Sequence, residues 1–349
     1  MSTDAERLSA MARECAAMLP AALPHEPSKG RSSRTEAEYL RMAGVLLQRA
    51  QALRGGLVVA VQDTGSARTF HKRIAALKFH CRHLVTQHLE GLSSAQNLDW
   101  ERLAEVLPPF HEQLCALITL KQQGMTQPRR KRRSKRQALR GLPSTWREDL
   151  CERGARGKYS DALLILALTG ARPGEVVTGI DTWLQYDESL GMETVCFYVT
   201  GAKVTTHQGQ PHRFVAYAAD DTHPLVAVLV RRLSAESGRK LRIKIAKAGN
   251  LTAEIQRLGR NLWREHAHAL TATCFRHQWS ADVKASGDAD AASRGLGHRS
   301  AKTRRHYGTA HQSRSVHALH PVRIQADLPV KMLQSQPQPQ PQAQMLSPE

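Results

Sequence analysis

Two arginines, a histidine and a tyrosine stand in this 349-residue chain at spacings that could do chemistry together. Arg172 lies in Thr169-Gly170-Ala171-Arg172-Pro173-Gly174-Glu175, directly after an apolar run. Arg276 stands beside His277 in TCFRHQWSADV. Leu296-Gly297-His298 follows, and Tyr307 comes nine residues after the histidine, in LGHRSAKTRRHYG. Attack on a phosphodiester builds charge on its non-bridging oxygens. A guanidinium suits that charge, because its planar fork donates two parallel hydrogen bonds and keeps its proton. Two such forks can take the place of a metal ion. Tyrosine, with a solution pKa of about 10, becomes a competent nucleophile only where positive charge surrounds it. Glu175, one helical turn beyond Arg172, is expected to orient that arginine and not to react itself.

TGxRxxE alone is a weak signal, since an isolated arginine after a helix is normally a surface residue. LGH with a tyrosine at this distance is far more specific, and so is the order of the three segments. In these residues the chain resembles the tyrosine recombinase (phage integrase) family over roughly residues 142–320. The N-terminal helices match that family in architecture only. The resemblance implies that Arg172 and Arg276 hold the scissile phosphate and that His298 contacts it, with Tyr307 as nucleophile. It also implies that Lys203, in Val199-Thr200-Gly201-Ala202-Lys203 at the end of the first hairpin strand, is the general acid for the leaving 5′ oxygen. Thr273 departs from the pattern: it stands three residues before Arg276, where most members carry histidine, and it cannot act as a base near neutral pH. His277 reads as a packed or surface histidine, since on a helix it points about 100 degrees away from Arg276.

The activity implied is that of a site-specific DNA recombinase or integrase working through a 3′-phosphotyrosyl intermediate, with no external energy source. Its partners are double-stranded DNA target sites and further copies of itself, forming a tetramer on synapsed DNA, with residues 316–330 docked on a neighbour. The setting implied is cytoplasmic and nucleoid-associated, in a bacterium or on a phage-borne mobile element. Thr273 motivates a rival reading, a DNA-binding protein of the same fold that has lost catalysis. A third reading is a hairpin-end resolvase or type IB topoisomerase-like enzyme.

These residues must be positioned by helices for the most part. Aromatic residues are only 5% of the chain, and Ala, Leu and Arg dominate, a bias towards helix. The expected fold is mainly α with a small β-hairpin or sheet. A catalytic domain over 142–320 follows an all-helical DNA-binding domain over 31–127, and by the resemblance the two form a C-shaped clamp. Residues 1–30 read as a flexible arm containing one helix over 5–19. Helices are expected over 35–52, opened by a capping-box pattern at Thr35, over 66–89, and over 100–121 with an interruption at Pro108-Pro109. The second domain is expected to contain helices over 146–153, 159–169, 224–233, 253–266 and 274–286. Strands over 193–199 and 213–218, flanking a glycine-containing turn, form the hairpin. Residues 321–349 read as a tail ending in a QPQPQPQ repeat that cannot build a core.

Fifty Lys and Arg against 31 Asp and Glu leave a formal charge of +19, which points to a polyanionic partner. On the 66–89 helix, Arg68, Lys72, Arg73 and Lys78 are expected to touch phosphates. The run Arg129, Arg130, Lys131, Arg132, Arg133, Ser134, Lys135, Arg136 reads as a linker (128–141) lying along a DNA backbone, although short basic runs also serve as tethers and localisation signals. The six cysteines are scattered without paired spacing, as expected in a reduced compartment. No apolar stretch reaches membrane-spanning length. No metal is expected, since the 17 histidines form no HExxH pattern and the carboxylates do not cluster. No cofactor is expected either, since neither a phosphate-cradling GxxxxGKS loop nor a dinucleotide fingerprint is present.

Overall fold

A computed structural model describes residues 2–24, 31–89, 100–128, 137–206, 208–304, 306–313 and 318–331. The chain divides into two compact units, Met1–Arg132 and Arg133–Glu349, each with its own apolar core. The division falls inside the segment read as a linker. The chain is mainly helical with one small antiparallel sheet. Among the described residues no helix is long and apolar enough to cross a membrane.

In the first unit the described elements are helices: α1 (Ser2–Ala22), α2 (Ser33–Ala52), α3 (Gly56–Gln62), α4 (Ala67–Leu84) and α5 (Trp100–Gln123). Three expectations need correction here. The N-terminal segment is not a loose arm through its helical part, because α1 buries Cys15 and Ala22 in the core, with Leu8, Met11 and Met18 packed against it. Helix α2 begins earlier than Thr35: Ser32 is the cap, its hydroxyl accepting the Thr35 N–H at 3.4 Å. Helix α5 runs without a break through Pro108 and Pro109. Both prolines lie on its exposed side, where water can take the carbonyls they leave without a donor. The short helix α3 was not foreseen.

The second unit opens with α6 (Trp146–Arg153), α7 (Ser160–Thr169) and α8 (Pro173–Thr178). Every residue of α7 from Ala162 to Thr169 is buried, as expected of a helix that is apolar all round. Strands β1 (Ile180–Asp187), β2 (Met192–Thr200) and β3 (His212–Ala218) follow, then α9 (Pro224–Ser234), β4 (Lys240–Ile243) and α10 (Ala248–Leu262). The unit is completed by α11 (Ala272–Ala285), α12 (Ala289–Gly295), α13 (Ala301–Arg304) and β5 (Arg323–Ala326).

The expected hairpin is the β2–β3 pair, with Phe197 opposite Val215, but it is the centre of a five-stranded sheet in the order β4-β1-β2-β3-β5. Alternation puts Ile180, Leu184, Val195, Phe197, Val199, Val215 and Tyr217 on the face that joins the α7 core. Strand β5 comes from the segment read as tail. The unit therefore extends past residue 320, and 323–326 pair with β3.

Candidate active site

Helix α7 ends at Gly170, whose φ of 58° is the left-handed conformation a glycine adopts without strain. The Thr169 hydroxyl donates to the Ile165 carbonyl at 2.6 Å and accepts the Ala171 N–H at 3.2 Å, which fixes the turn. Arg172 then caps α8, its own N–H donating to Glu175 Oε2 at 2.7 Å and its Nη1 to Glu175 Oε1 at 2.8 Å. Glu175 is fully buried and also receives Arg213 Nη2 at 2.6 Å. Burial alone would raise its carboxyl pKa, but Arg213, Arg276 and Arg172 outweigh burial and hold it well below the usual carboxylate range. Glu175 therefore orients Arg172, as the sequence suggested.

Trp279 of α11 ties the separate motifs together. Its indole N–H reaches the Leu168 carbonyl at 2.8 Å, and the ring packs on Gly170 and Gly295. A Cβ at Gly295 would lie 2.2 Å from that ring, and one at Gly170 would lie 3.3 Å from it. The turns bearing Arg172 and His298 are thus seated against one side chain, at two positions where a side chain has little or no room.

One turn before Trp279, Arg276 is 2% exposed. Its Nη1 donates to the Gly170 carbonyl at 2.7 Å, and its Nη2 donates to the Leu296 carbonyl and to His298 Nε2, the latter at 3.1 Å. A guanidinium has five N–H donors, so Nε, which has no partner among the described residues, and the second hydrogen on Nη1 are uncommitted. Burial first, and then the neighbouring Arg172, lower the Arg276 pKa to about 10, so it stays charged near neutral pH. His298 accepts from a cation, so its proton is assigned to Nδ1. Burial, Arg276, Arg172 and Arg213 together push its pKa down to about 2. It is a neutral imidazole in a positive site.

The half-buried Tyr307 covers this group. Its ring centroid is 5.0 Å from the Arg276 guanidinium carbon, 5.1 Å from the His298 ring and 5.3 Å from the His277 ring. Gly308 lets the backbone lie flat on α11, since a Cβ there would be 2.2 Å from the His277 carbonyl oxygen. Lys284 Nζ donates to the Tyr307 and Gly308 carbonyls. Downstream, the fully buried Asp282 accepts Ser313 Oγ at 3.0 Å and pairs with Arg147 at 2.7 Å, anchoring the chain after the tyrosine.

The fold therefore brings together Arg172, Glu175, Arg276, His298 and Tyr307. Lys203 and Thr273 are exposed and make no hydrogen bond to that group. Lys203 lies beyond the end of β2, in the β2–β3 loop, and not on the strand. The loop nonetheless runs beside Arg172's helix, with Ala202 Cβ 3.4 Å from where a Cβ on Gly174 would stand. His277 is a packed histidine, one of the two readings given above, but it packs on the tyrosine itself. Sequence reasoning missed Arg213, Asp282, Lys284 and Gln210. Arg213 was legible in principle, because it shares the inward register of β3 with Val215 and Tyr217.

In the first unit, Arg68 is exposed on α4 and Lys78 is half-buried. Lys72 is paired with Glu38 at 2.5 Å. Arg73 is turned inward, its Nη1 donating to the carbonyls of Ala60, Val61 and Asp63 and so capping the C-terminal end of α3. Arg73 thus caps a helix through Nη1, a role the sequence reading did not give it. Arg129, Arg130, Lys131, Arg132, Arg133, Lys135 and Arg136 lie outside the described residues.

No protein-family model matches this chain, and the search of curated proteins finds no match either.

Proposed function

We propose that the protein is a site-specific DNA recombinase of the tyrosine type, which cuts and rejoins double-stranded DNA through a 3′-phosphotyrosyl intermediate. The observation that carries this reading is the convergence of Arg172, Arg276, His298 and Tyr307, from separate stretches of chain, around one buried guanidinium with two donors still to give. In the reaction, the Tyr307 hydroxyl attacks phosphorus and forms the new P–O bond as the bond to the 5′ oxygen breaks. Its proton passes to solvent, because His298 is neutral with Nε2 occupied and Thr273 offers no base. Arg276 and Arg172 neutralise the charge gathering on the non-bridging oxygens. Lys203 gives the departing 5′ oxygen its proton. A 5′ hydroxyl of a partner strand then attacks the phosphotyrosine and frees Tyr307, so bond energy is conserved. Exchange between two duplexes requires several copies of the chain, and a tetramer on synapsed DNA is part of this proposal.

The test is single-turnover incubation with a nicked suicide duplex, from which the cleaved fragment diffuses away. A covalent protein–DNA adduct that forms equally well in excess EDTA is expected. Binding without any adduct overturns the reading in favour of a second one, a DNA-binding protein that has lost catalysis, which the threonine at position 273 favours.

A further inference from the structure

The loop that carries Lys203 is pinned at its far end by one buried side chain. Gln210 is 1% exposed and lies just before β3. Its Nε2 donates to the Leu328 carbonyl at 2.6 Å and to the His298 carbonyl at 3.3 Å, and its Oε1 accepts the Leu328 N–H at 2.9 Å. Its own N–H donates to the Gly297 carbonyl at 3.2 Å. One amide therefore joins three segments: the β2–β3 loop, the Leu296-Gly297-His298 turn and the bend that follows β5.

The loop has little freedom of its own. Gly201 N–H donates to the Pro211 carbonyl at 2.7 Å, and Thr205 and Gln208 bond each other through both backbone pairs. Gly209, at a φ of 81°, lies so close to the Lys203 carbonyl that a Cβ would approach to 2.0 Å. Arg299, next to His298, donates to the Thr206 carbonyl at 2.5 Å. These contacts tie the described residues of the loop to one another, so where Lys203 sits is decided at the loop's attachments.

The geometry points to Gln210 as the positioning residue that sets the Lys203 loop relative to His298, with residues 327–328 as its outer support. This inference rests on the recombinase reading and deepens it. A glutamine with no contact to the reacting atoms controls delivery of the proton to the leaving oxygen, through the lysine it places. Strand β5 and the residues after it are then part of the active site's framework, although they come after the nucleophile in the chain.

The experiment compares the full-length wild type with Gln210→Met, similar in size but without the hydrogen bonds, the milder Gln210→Asn, Lys203→Ala and Arg276→Ala. Each is given two suicide duplexes, one ordinary and one with sulfur in place of the leaving 5′ oxygen. A thiol with a pKa of about 8.5 leaves as thiolate and needs no proton. On the ordinary duplex Gln210→Met is expected to slow adduct formation on the order of 100-fold, the scale of a misplacement of about 1 Å. Gln210→Asn should fall between it and the wild type. On the sulfur duplex Gln210→Met and Lys203→Ala should recover most of the wild-type rate, and Arg276→Ala should not. A Gln210→Met defect that is equal on both duplexes, or absent from both, overturns the inference. Hydrogen exchange of the protein alone supplies a readout that does not depend on activity. In Gln210→Met, the amides of Gly201, Thr205 and Leu328 should exchange faster, while those of α7 stay unchanged. Unchanged protection at the first three sites refutes the pin even if the wild type forms no adduct, whereas that missing adduct by itself refutes only the recombinase reading.

Discussion

Arg276 lies beneath the ring of Tyr307, its guanidinium carbon 5.0 Å from the ring centroid. The contact is a cation–π pair of roughly 0.5 to 2 kcal/mol, and it places the phenol beside the donors that an anion would seek. Tyr307→Phe retains the ring and this contact and removes only the hydroxyl. The expected result is complete loss of the covalent adduct on a suicide duplex with DNA affinity nearly unchanged in a binding titration. An adduct that survives would move the nucleophile to another residue, with Tyr159, Tyr198 and Tyr217 the next to test.

Acid should weaken the second unit through His298. Its folded pKa of about 2 lies far below the value of about 6.5 for an unfolded histidine. Below pH 6.5 the unfolded chain takes up a proton that the folded chain refuses, so the contribution to stability is full above that pH and declines as pH falls. The slope approaches about 1.4 kcal/mol per pH unit for one proton. Glu175, also depressed, acts in the same direction but only below the unfolded carboxylate value of about 4.3. Between pH 6.5 and 5, wild type is expected to lose roughly 1 to 2 kcal/mol more than His298→Gln in urea unfolding. Parallel losses in the two proteins would show that the buried imidazole takes up a proton in the fold.

Much of this site was legible in the sequence because its chemistry depends on residue type at fixed distance along short turns. Thr169-Gly170 and Leu296-Gly297 mark helix ends that only glycine makes without strain, and Arg172 and His298 follow them directly, whereas Arg276 lies inside α11 and Tyr307 nine residues beyond His298. The sheet was only half legible. Strands β4 and β5 alternate polar (Lys240, Arg242, Arg323, Gln325) with apolar side chains (Leu241, Ile243, Ile324, Ala326), but over only four residues each, too short a run to stand out from the flanking loops, and pairing with β1 and β3 is what makes them strands. The inward turn of Arg73 could not be read either. Helical spacing puts Arg73 among basic neighbours, and it is the carbonyls at the end of α3, an unforeseen helix, that draw it in.

The capping role of Arg73 gives a way to separate stability from DNA binding. Arg73→Ala removes a donor shared among three part-buried or exposed carbonyls and is expected to lower unfolding stability by roughly 0.5 to 1.5 kcal/mol, the net range for a hydrogen bond whose acceptors water can partly reach. Its effect on the salt dependence of DNA affinity should be small. Arg68→Ala should do the reverse, leaving stability intact and making the log–log salt slope shallower by about 1. For the wild type a slope on the order of −5 or steeper is expected. A slope near zero would argue against nucleic acid as the partner.

Thr273 is where the residue pattern and the structure bear most directly on whether the site is active. It is the exposed residue of the first turn of α11, between the buried Ala272 and Cys274 and three residues before Arg276, and its hydroxyl makes no hydrogen bond among the described residues, so it can donate to a phosphate arriving over that turn. If it does so, Thr273→Ala should slow adduct formation roughly 10- to 1000-fold, the range for removing one oxyanion donor. Arg276→Ala should cost more, since it removes a charged fork that lysine could not fully replace. Thr273→His would restore the imidazole that the family resemblance puts at this position and, if it acts as a general base, is expected to accelerate cleavage. Single-turnover adduct formation on a suicide duplex ranks the four proteins. If Thr273→Ala equals wild type, the residue takes no part in the chemistry. If wild type forms no adduct and Thr273→His does, the threonine marks a lost activity, and the protein is a DNA binder built on a recombinase-like site.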